Sequence, residues 1–99
     1  MTDLHSPRKD RLFQAILTLE SIEDCYNFFE DICTIKEVMD MTQRFETAER
    51  LANGENYQQI STDVGVSPAT ISRVNRCLRY GAGGYRKALE LLKDADQQK

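Results

Sequence analysis

The 99-residue sequence predicts an all-α fold. Three observations carry that prediction. Apolar residues recur at spacings of three and four along nearly the whole chain. No stretch alternates with the period of two that a half-buried strand requires. The punctuation between the apolar stripes is that of helix ends, with Ser or Thr before a stripe and Gly after it.

The elements follow in order. Leu12, Phe13, Ile16, Leu17 and Leu19 form a first stripe at helical spacing. Ser21 followed by Asp24 marks the start of a second helix, a weaker form of the capping box because the acid is Asp. Ile22, Tyr26, Phe29 and Ile32 continue it. Thr34-Ile35-Lys36-Glu37 is a full capping box. It opens a long helix from Ile35 to Ala52 on which Val38, Met41, Phe45, Ala48 and Ala52 share a face, and Asn53-Gly54 stops it. A short helix follows from about Tyr57 to Val64 and breaks at Gly65. Ser67-Pro68 starts the next one, Ser as N-cap and Pro at the first helical position, and it runs to Tyr80 before Gly81. Gly81-Ala82-Gly83-Gly84 has no phosphate-loop pattern and reads as a connector. Tyr85, Ala88, Leu89 and Leu92 form a last amphipathic helix, with Asp94 to Lys99 expected as a frayed polar tail.

Composition bounds the function. With 40% hydrophobic and 29% charged residues the chain is ordinary for a globular protein, and its length fits one domain, residues 1–99. No apolar run approaches the roughly 18 residues of a membrane span. Met1 to Pro7 lacks a basic start followed by an apolar stretch, so no secretion signal is expected. Cys25, Cys33 and Cys77 are odd in number and far apart, which fits reduced thiols in a cytoplasm rather than a disulfide framework. One His and scattered Cys give no metal-ligand spacing. The acids are scattered and His5 lies in an N-terminal arm. With no nucleophile and base paired, the chain is not expected to be an enzyme. The broad apolar stripes before Gly54 exceed what one small core needs, so a homodimer is expected, held by helices at about 8–53 and 84–95.

Net charge is −3, but it is unevenly spread. Residues 1–66 hold 6 Lys and Arg against 13 Asp and Glu, a net of −7, while residues 67–99 hold 7 against 3, a net of +4. From Ser67 to Lys87 there are five basic residues and no acid. A local basic face counts for more in phosphate binding than the global sum.

That face lies in a helix-turn-helix at 57–79. Counted from Tyr57, apolar residues fall at the fourth (Ile60), eighth (Val64), tenth (Val66), fifteenth (Ile71) and eighteenth (Val74) positions, with the small Ser61 at the fifth and Gly65 at the ninth, where the chain turns. Ile71, Val74 and Leu78 make the inner face of the second helix. Ala69, Thr70, Ser72, Arg73, Arg76 and Arg79 make the outer one. Ala69 and Thr70 offer methyl groups to thymine, Thr70 and Ser72 offer hydroxyls to bases, and Arg76 and Arg79 suit phosphates. Ser67 and Pro68 bring a helix N-terminus that attracts phosphate. Gln58 and Ser61 on the first helix complete the candidate DNA contacts.

Gln59-Ile60-Ser61-Thr62-Asp63-Val64-Gly65 followed by Ala69-Thr70-Ile71-Ser72-Arg73, with Asn53-Gly54-Glu55 upstream, resembles the helix-turn-helix of the tryptophan repressor family, and within it the YerC/YecD branch of TrpR-related proteins. The resemblance covers most of the chain and is most specific between Gly54 and Arg79. It implies a six-helix Trp-repressor-like domain and an intertwined homodimer whose DNA-reading heads project from a shared core. It also supplies a candidate effector pocket. Two arginines that sandwich an indole match Arg44 and Arg73, and a threonine that the other subunit contributes matches Thr34. A glycine that leaves room for the ring is Val74 here, and a serine at the ligand's amino group is Cys77. Val74 fills the space an indole needs, so the expected effector, if there is one, is smaller than tryptophan or differently shaped. No cofactor is expected.

The sequence therefore predicts a transcriptional regulator, a repressor that binds double-stranded palindromic DNA as a homodimer. The competing reading is a helix-turn-helix that docks protein, without sequence-specific DNA binding.

Overall fold

The computed structural model describes residues 5–98, so the expectations for Met1 to Leu4 and for Lys99 lie outside the described residues. Six helices and no strand occur among them: α1 (Pro7–Ile16), α2 (Ile22–Ile32), α3 (Ile35–Ala52), α4 (Tyr57–Val64), α5 (Pro68–Tyr80) and α6 (Gly84–Gln97). The chain gathers into two compact units, one ending at Val38 and one beginning at Met39, so the division falls near the start of α3.

In the first unit, each helix start is fixed by a side-chain cap. Ser6 Oγ accepts the N–H of Lys9 at 3.2 Å, and Pro7 takes the first helical position, where a missing N–H removes no bond. The apolar stripe reaches Leu19, but the helix ends at Ile16. Thr18 Oγ1 donates to the Ala15 carbonyl at 2.6 Å, and the N–H of Leu19 bonds to Ile16 three residues back, which tightens the chain into a turn. Ser21 Oγ then accepts the N–H of Asp24 at 3.0 Å. The Asp24 carboxylate reaches past Ser21 to the N–H of Glu20 at 3.1 Å, so the reciprocal half of the box is displaced by one residue. Thr34 and Glu37 form the complete box, with Glu37 N–H to Thr34 Oγ1 at 3.1 Å and Thr34 N–H to the Glu37 carboxylate at 2.8 Å. Phe28 and Phe29 meet edge to face at 5.4 Å. No side chain of α1 or α2 is buried, and Leu17 and Ile22 are 84% and 79% exposed.

The second unit holds the core. Ala48 and Leu51 of α3, Ile60 of α4, Val66 of the turn, and Ile71, Val74 and Leu78 of α5 are buried together, with Val64, Tyr85 and Leu89 packed against them. Thr47 is the buried polar residue among those described, and its hydroxyl donates to the Gln43 carbonyl one turn back at 2.7 Å. α5 packs against both α4 and α6. The frayed tail expected from Asp94 is instead helical as far as Gln97. Beyond Gly84 the segment has neither Gly nor Pro and consists largely of good helix formers, so nothing in it stops the helix.

Candidate nucleic-acid interface

The candidate interface is built on the turn between α4 and α5. Asn56 caps α4, its side chain accepting the N–H of Gln59 at 2.8 Å. Gly65 ends α4 with φ +82°, a left-handed conformation that costs a side-chain-bearing residue free energy. Two side chains hold the turn. Ser61 Oγ donates to the Val66 carbonyl at 2.7 Å, and Gln43 Nε2 reaches from α3 to the Val64 carbonyl at 3.4 Å. Ser61, one of the expected DNA contacts, is half-buried, and its hydroxyl proton goes to the turn. The small fifth residue serves the crossing of the helices.

Ser67 then caps α5, with Pro68 beside it in the first turn. Its Oγ accepts the N–H of Thr70 at 3.2 Å and also bonds to Thr70 Oγ1 at 3.1 Å. The N–H of Ile71 goes to the Ser67 carbonyl, and Pro68 has none. The N–H of Ala69 is thus the one first-turn donor of α5 left for an outside acceptor among the described residues.

With Ile71, Val74 and Leu78 turned into the core, α5 presents Ala69, Ser72, Arg73, Arg76, Cys77, Arg79 and Tyr80 outward, all exposed. Thr70 is half-buried. Arg79 Nε donates to Asn75 Oδ1 at 3.2 Å, which holds its guanidinium along the helix. Gln58 is exposed on α4.

The electrostatics favour an anionic partner. Between Tyr57 and Arg79 the single acid is Asp63. It sits in the last turn of α4, where a negative charge opposes the helix dipole. Arg50, in the last turn of α3, offsets it. Its guanidinium lies 3.1 Å from Asp63, 3.0 Å from Glu55 and 3.2 Å from Glu46. The hydrogen bond that Arg50 donates to Glu55 is the largest influence on its guanidinium and raises its pKa above the usual arginine value, against a smaller opposing effect of burial. The cluster ties the end of α3, the connecting loop and α4 together, and it neutralises the one charge that would repel phosphate. Nothing in the sequence announced it, because its three acids come from three separate segments.

The residues matched to an effector pocket are placed as follows. Thr34 is in the first unit, its hydroxyl engaged in the cap of α3. Arg44 is exposed on α3, Arg73 and Cys77 are exposed on α5, and Val74 is 2% exposed in the core. Among the described residues no group of His, Cys, Asp and Glu converges as metal ligands do, and no helix is long and apolar enough to cross a membrane.

Comparison with known proteins agrees with this architecture. The family model described as Trp repressor protein matches residues 8–93. The chain belongs to the Trp repressor family. Within that family it is 45% identical over 95 residues to the uncharacterized protein YerC of Bacillus subtilis (strain 168), a match spanning 96% of this chain and 91% of YerC. The solved structure of a TrpR-like protein from Eubacterium eligens ATCC 27750 is similar with a TM-score of 0.88 and 47% identity, over 91% of this chain and 93% of that one. A second solved structure, from Staphylococcus aureus, gives a TM-score of 0.87 and 42% identity over 91% and 90% of the two chains. The Trp-repressor-like fold and the YerC relationship expected from the motif are therefore both found.

Proposed function

We propose that this Trp repressor family member is a sequence-specific DNA-binding regulator of transcription, and not an enzyme. In this reading it acts in the cytoplasm as a repressor, binding a palindromic operator as a homodimer. The observation that carries the reading is the outer face of α5, where Ala69, Ser72, Arg73, Arg76 and Arg79 are exposed on a helix with no acid, while Ile71, Val74 and Leu78 hold it to α4. Small side chains in the early turns let the backbone approach base edges, and the later arginines meet phosphate.

The exposed apolar faces of α1 and α2 support the dimer. Helices that carry Phe13, Ile22, Tyr26 and Ile32 yet bury nothing have surface to place against a second copy. A two-fold dimer carries two reading helices and so reads a palindrome.

Tryptophan is not the effector in this reading. Val74, standing where the family resemblance has a glycine, is packed among Ile60, Ile71 and Leu78. Seating an indole there means displacing packed side chains, at about 1–3 kcal/mol or more. Cys77 is also a weak donor in place of a serine hydroxyl.

The test is selection of bound duplexes from a random library, with and without added amino acids. Enrichment of a palindrome without tryptophan is the expected result. Absence of any enriched sequence leaves the protein-docking alternative as the better reading.

A further inference from the structure

The family resemblance places an effector between α3 and α5, at Arg44 and Arg73. In this chain protein side chains join the two helices. Ala48 and Leu51 of α3 share one buried cluster with Ile71, Val74 and Leu78 of α5, and Val74 stands in it where the resemblance has a glycine. Two polar side chains of α3 extend the join to α4. Gln43, Thr47 and Arg50 follow one another at intervals of four and three residues, so they share a face of the helix. Thr47 is fully buried at its middle. On one side of it Gln43 Nε2 donates to the Val64 carbonyl at 3.4 Å, and on the other Arg50 donates to the Asp63 carboxylate at 3.1 Å. Asp63 and Val64 are adjacent in the last turn of α4, where backbone carbonyls lack a partner within the helix. Gly65 and the turn into α5 follow directly. The two side chains thus clasp α4 at the point from which α5 departs. Glu46 and Glu55 hold the Arg50 guanidinium from its own side, so its planar fork is fixed where it meets α4.

We propose that the helix-turn-helix is set for DNA by the chain itself, with Gln43 and Arg50 as positioning residues, and that the protein binds its operator without any small-molecule effector. This rests on the DNA-binding reading above and reaches past the exclusion of tryptophan to ligands of every size. An effector works only by binding the DNA-competent arrangement better than the others. Where contacts within the chain already favour that arrangement, a ligand has little population left to shift. Operator occupancy then follows the amount of protein and not the level of a metabolite.

The positioning roles are tested with Gln43→Met, Arg50→Met and Arg50→Lys, each measured at a temperature where thermal melting shows it folded. Both Met variants are expected to weaken duplex binding by about three- to tenfold without changing the selected sequence. The slope of log K against log salt is expected to move by less than the roughly 0.9 that one lost phosphate contact gives, since neither side chain meets DNA. Arg50→Lys keeps the charge but not the fork, and is expected to restore only part of the affinity. A slope shallower by a full contact would make Arg50 a phosphate ligand. Full recovery in Arg50→Lys would make it only a charge screen for Asp63. Unchanged affinity in both Met variants would leave the clasp without a role. Each of these results overturns the positioning assignment.

Effector independence is tested on the unaltered full chain. Binding to the library-selected duplex is compared for protein as purified and for protein unfolded in urea, dialysed and refolded, each with and without a mixture of the twenty amino acids. The four affinities are expected to agree within about fivefold, the lower end of the coupling that an effector exerts. If the stripped protein melts normally yet binds more weakly than that, or if the amino acids tighten binding beyond it, the proposal is overturned and DNA binding stands. If no preparation enriches any sequence, the DNA-binding reading fails and the proposal with it.

Discussion

Val74 lies in the core of the helix-turn-helix, 2% exposed, and its neighbours Arg73 and Asn75 are on the surface side of the same turn. Its side chain fills a packed space, so removing it has two consequences that must be measured together. Val74→Gly loses buried volume and adds backbone freedom inside a helix, and urea denaturation is expected to show a loss of about 2–4 kcal/mol. Any affinity for an indole gained by the vacated space has to be read against that loss. In the unaltered protein, calorimetric titration with L-tryptophan is expected to show no micromolar binding. A micromolar site that tightens DNA binding would contradict the role given to Val74. Ser61 and Thr70 teach a related lesson at this scale. Both are small polar residues in the motif, but Ser61 Oγ donates to the Val66 carbonyl whereas Thr70 Oγ1 accepts from Ser67 Oγ.

Among the elements, α4 and α5 are set by three local devices that differ in kind: a left-handed glycine, a serine cap and a glycine in close contact. Gly65 has open space where a Cβ would stand, so a substitution there meets only the backbone penalty of φ +82°. Gly65→Ala is expected to cost about 1–2 kcal/mol. Gly81 has ordinary negative φ, but a Cβ would strike the Cys77 carbonyl, and backbone there cannot easily yield. Gly81→Ala is expected to cost more than Gly65→Ala, and Ser67→Ala about 1 kcal/mol through loss of the cap. Denaturation of the three variants under one set of conditions checks the order. Local signals are also why the bounds of α3, the end of α4 and both ends of α5 are legible in the sequence: the Thr34–Glu37 box, Gly65, Ser67-Pro68 and Gly81 act on the chain beside them. The end of α1 was not legible, because a turn held by Thr18 follows an apolar stripe that continues to Leu19. Ser6-Pro7 does carry the same start signal as Ser67-Pro68. The charged residues from Asp94 suggest a tail, but they contain no breaker, so α6 continues through them to Gln97. In the candidate site the outward face of α5 followed from helical period, whereas the Arg50 cluster and the Gln43 contact depend on segments brought together only by the fold.

For the whole molecule, the uneven burial and the uneven charge point to one arrangement. The buried residues of the core all belong to the unit that begins at Met39, while α1 and α2 expose Phe13, Ile22, Tyr26 and Ile32. Sedimentation is expected to give a dimer at about tens of micromolar, and a monomer there would count against the two-fold reading of the operator. A dimer presents Arg73, Arg76 and Arg79 twice, six cations toward duplex phosphates. Each neutralised phosphate releases counterions and contributes about −0.9 to the slope of log K against log salt. The measurement that tests the central claim most directly is therefore the salt dependence of duplex binding for the unaltered protein and for Arg76→Ala/Arg79→Ala. The expected slope is about −5, becoming shallower by about 3 to 4 in the double variant, with affinity lost on every sequence. A slope near zero, or one that the two substitutions leave unchanged, would contradict the claim that the outer face of α5 binds DNA.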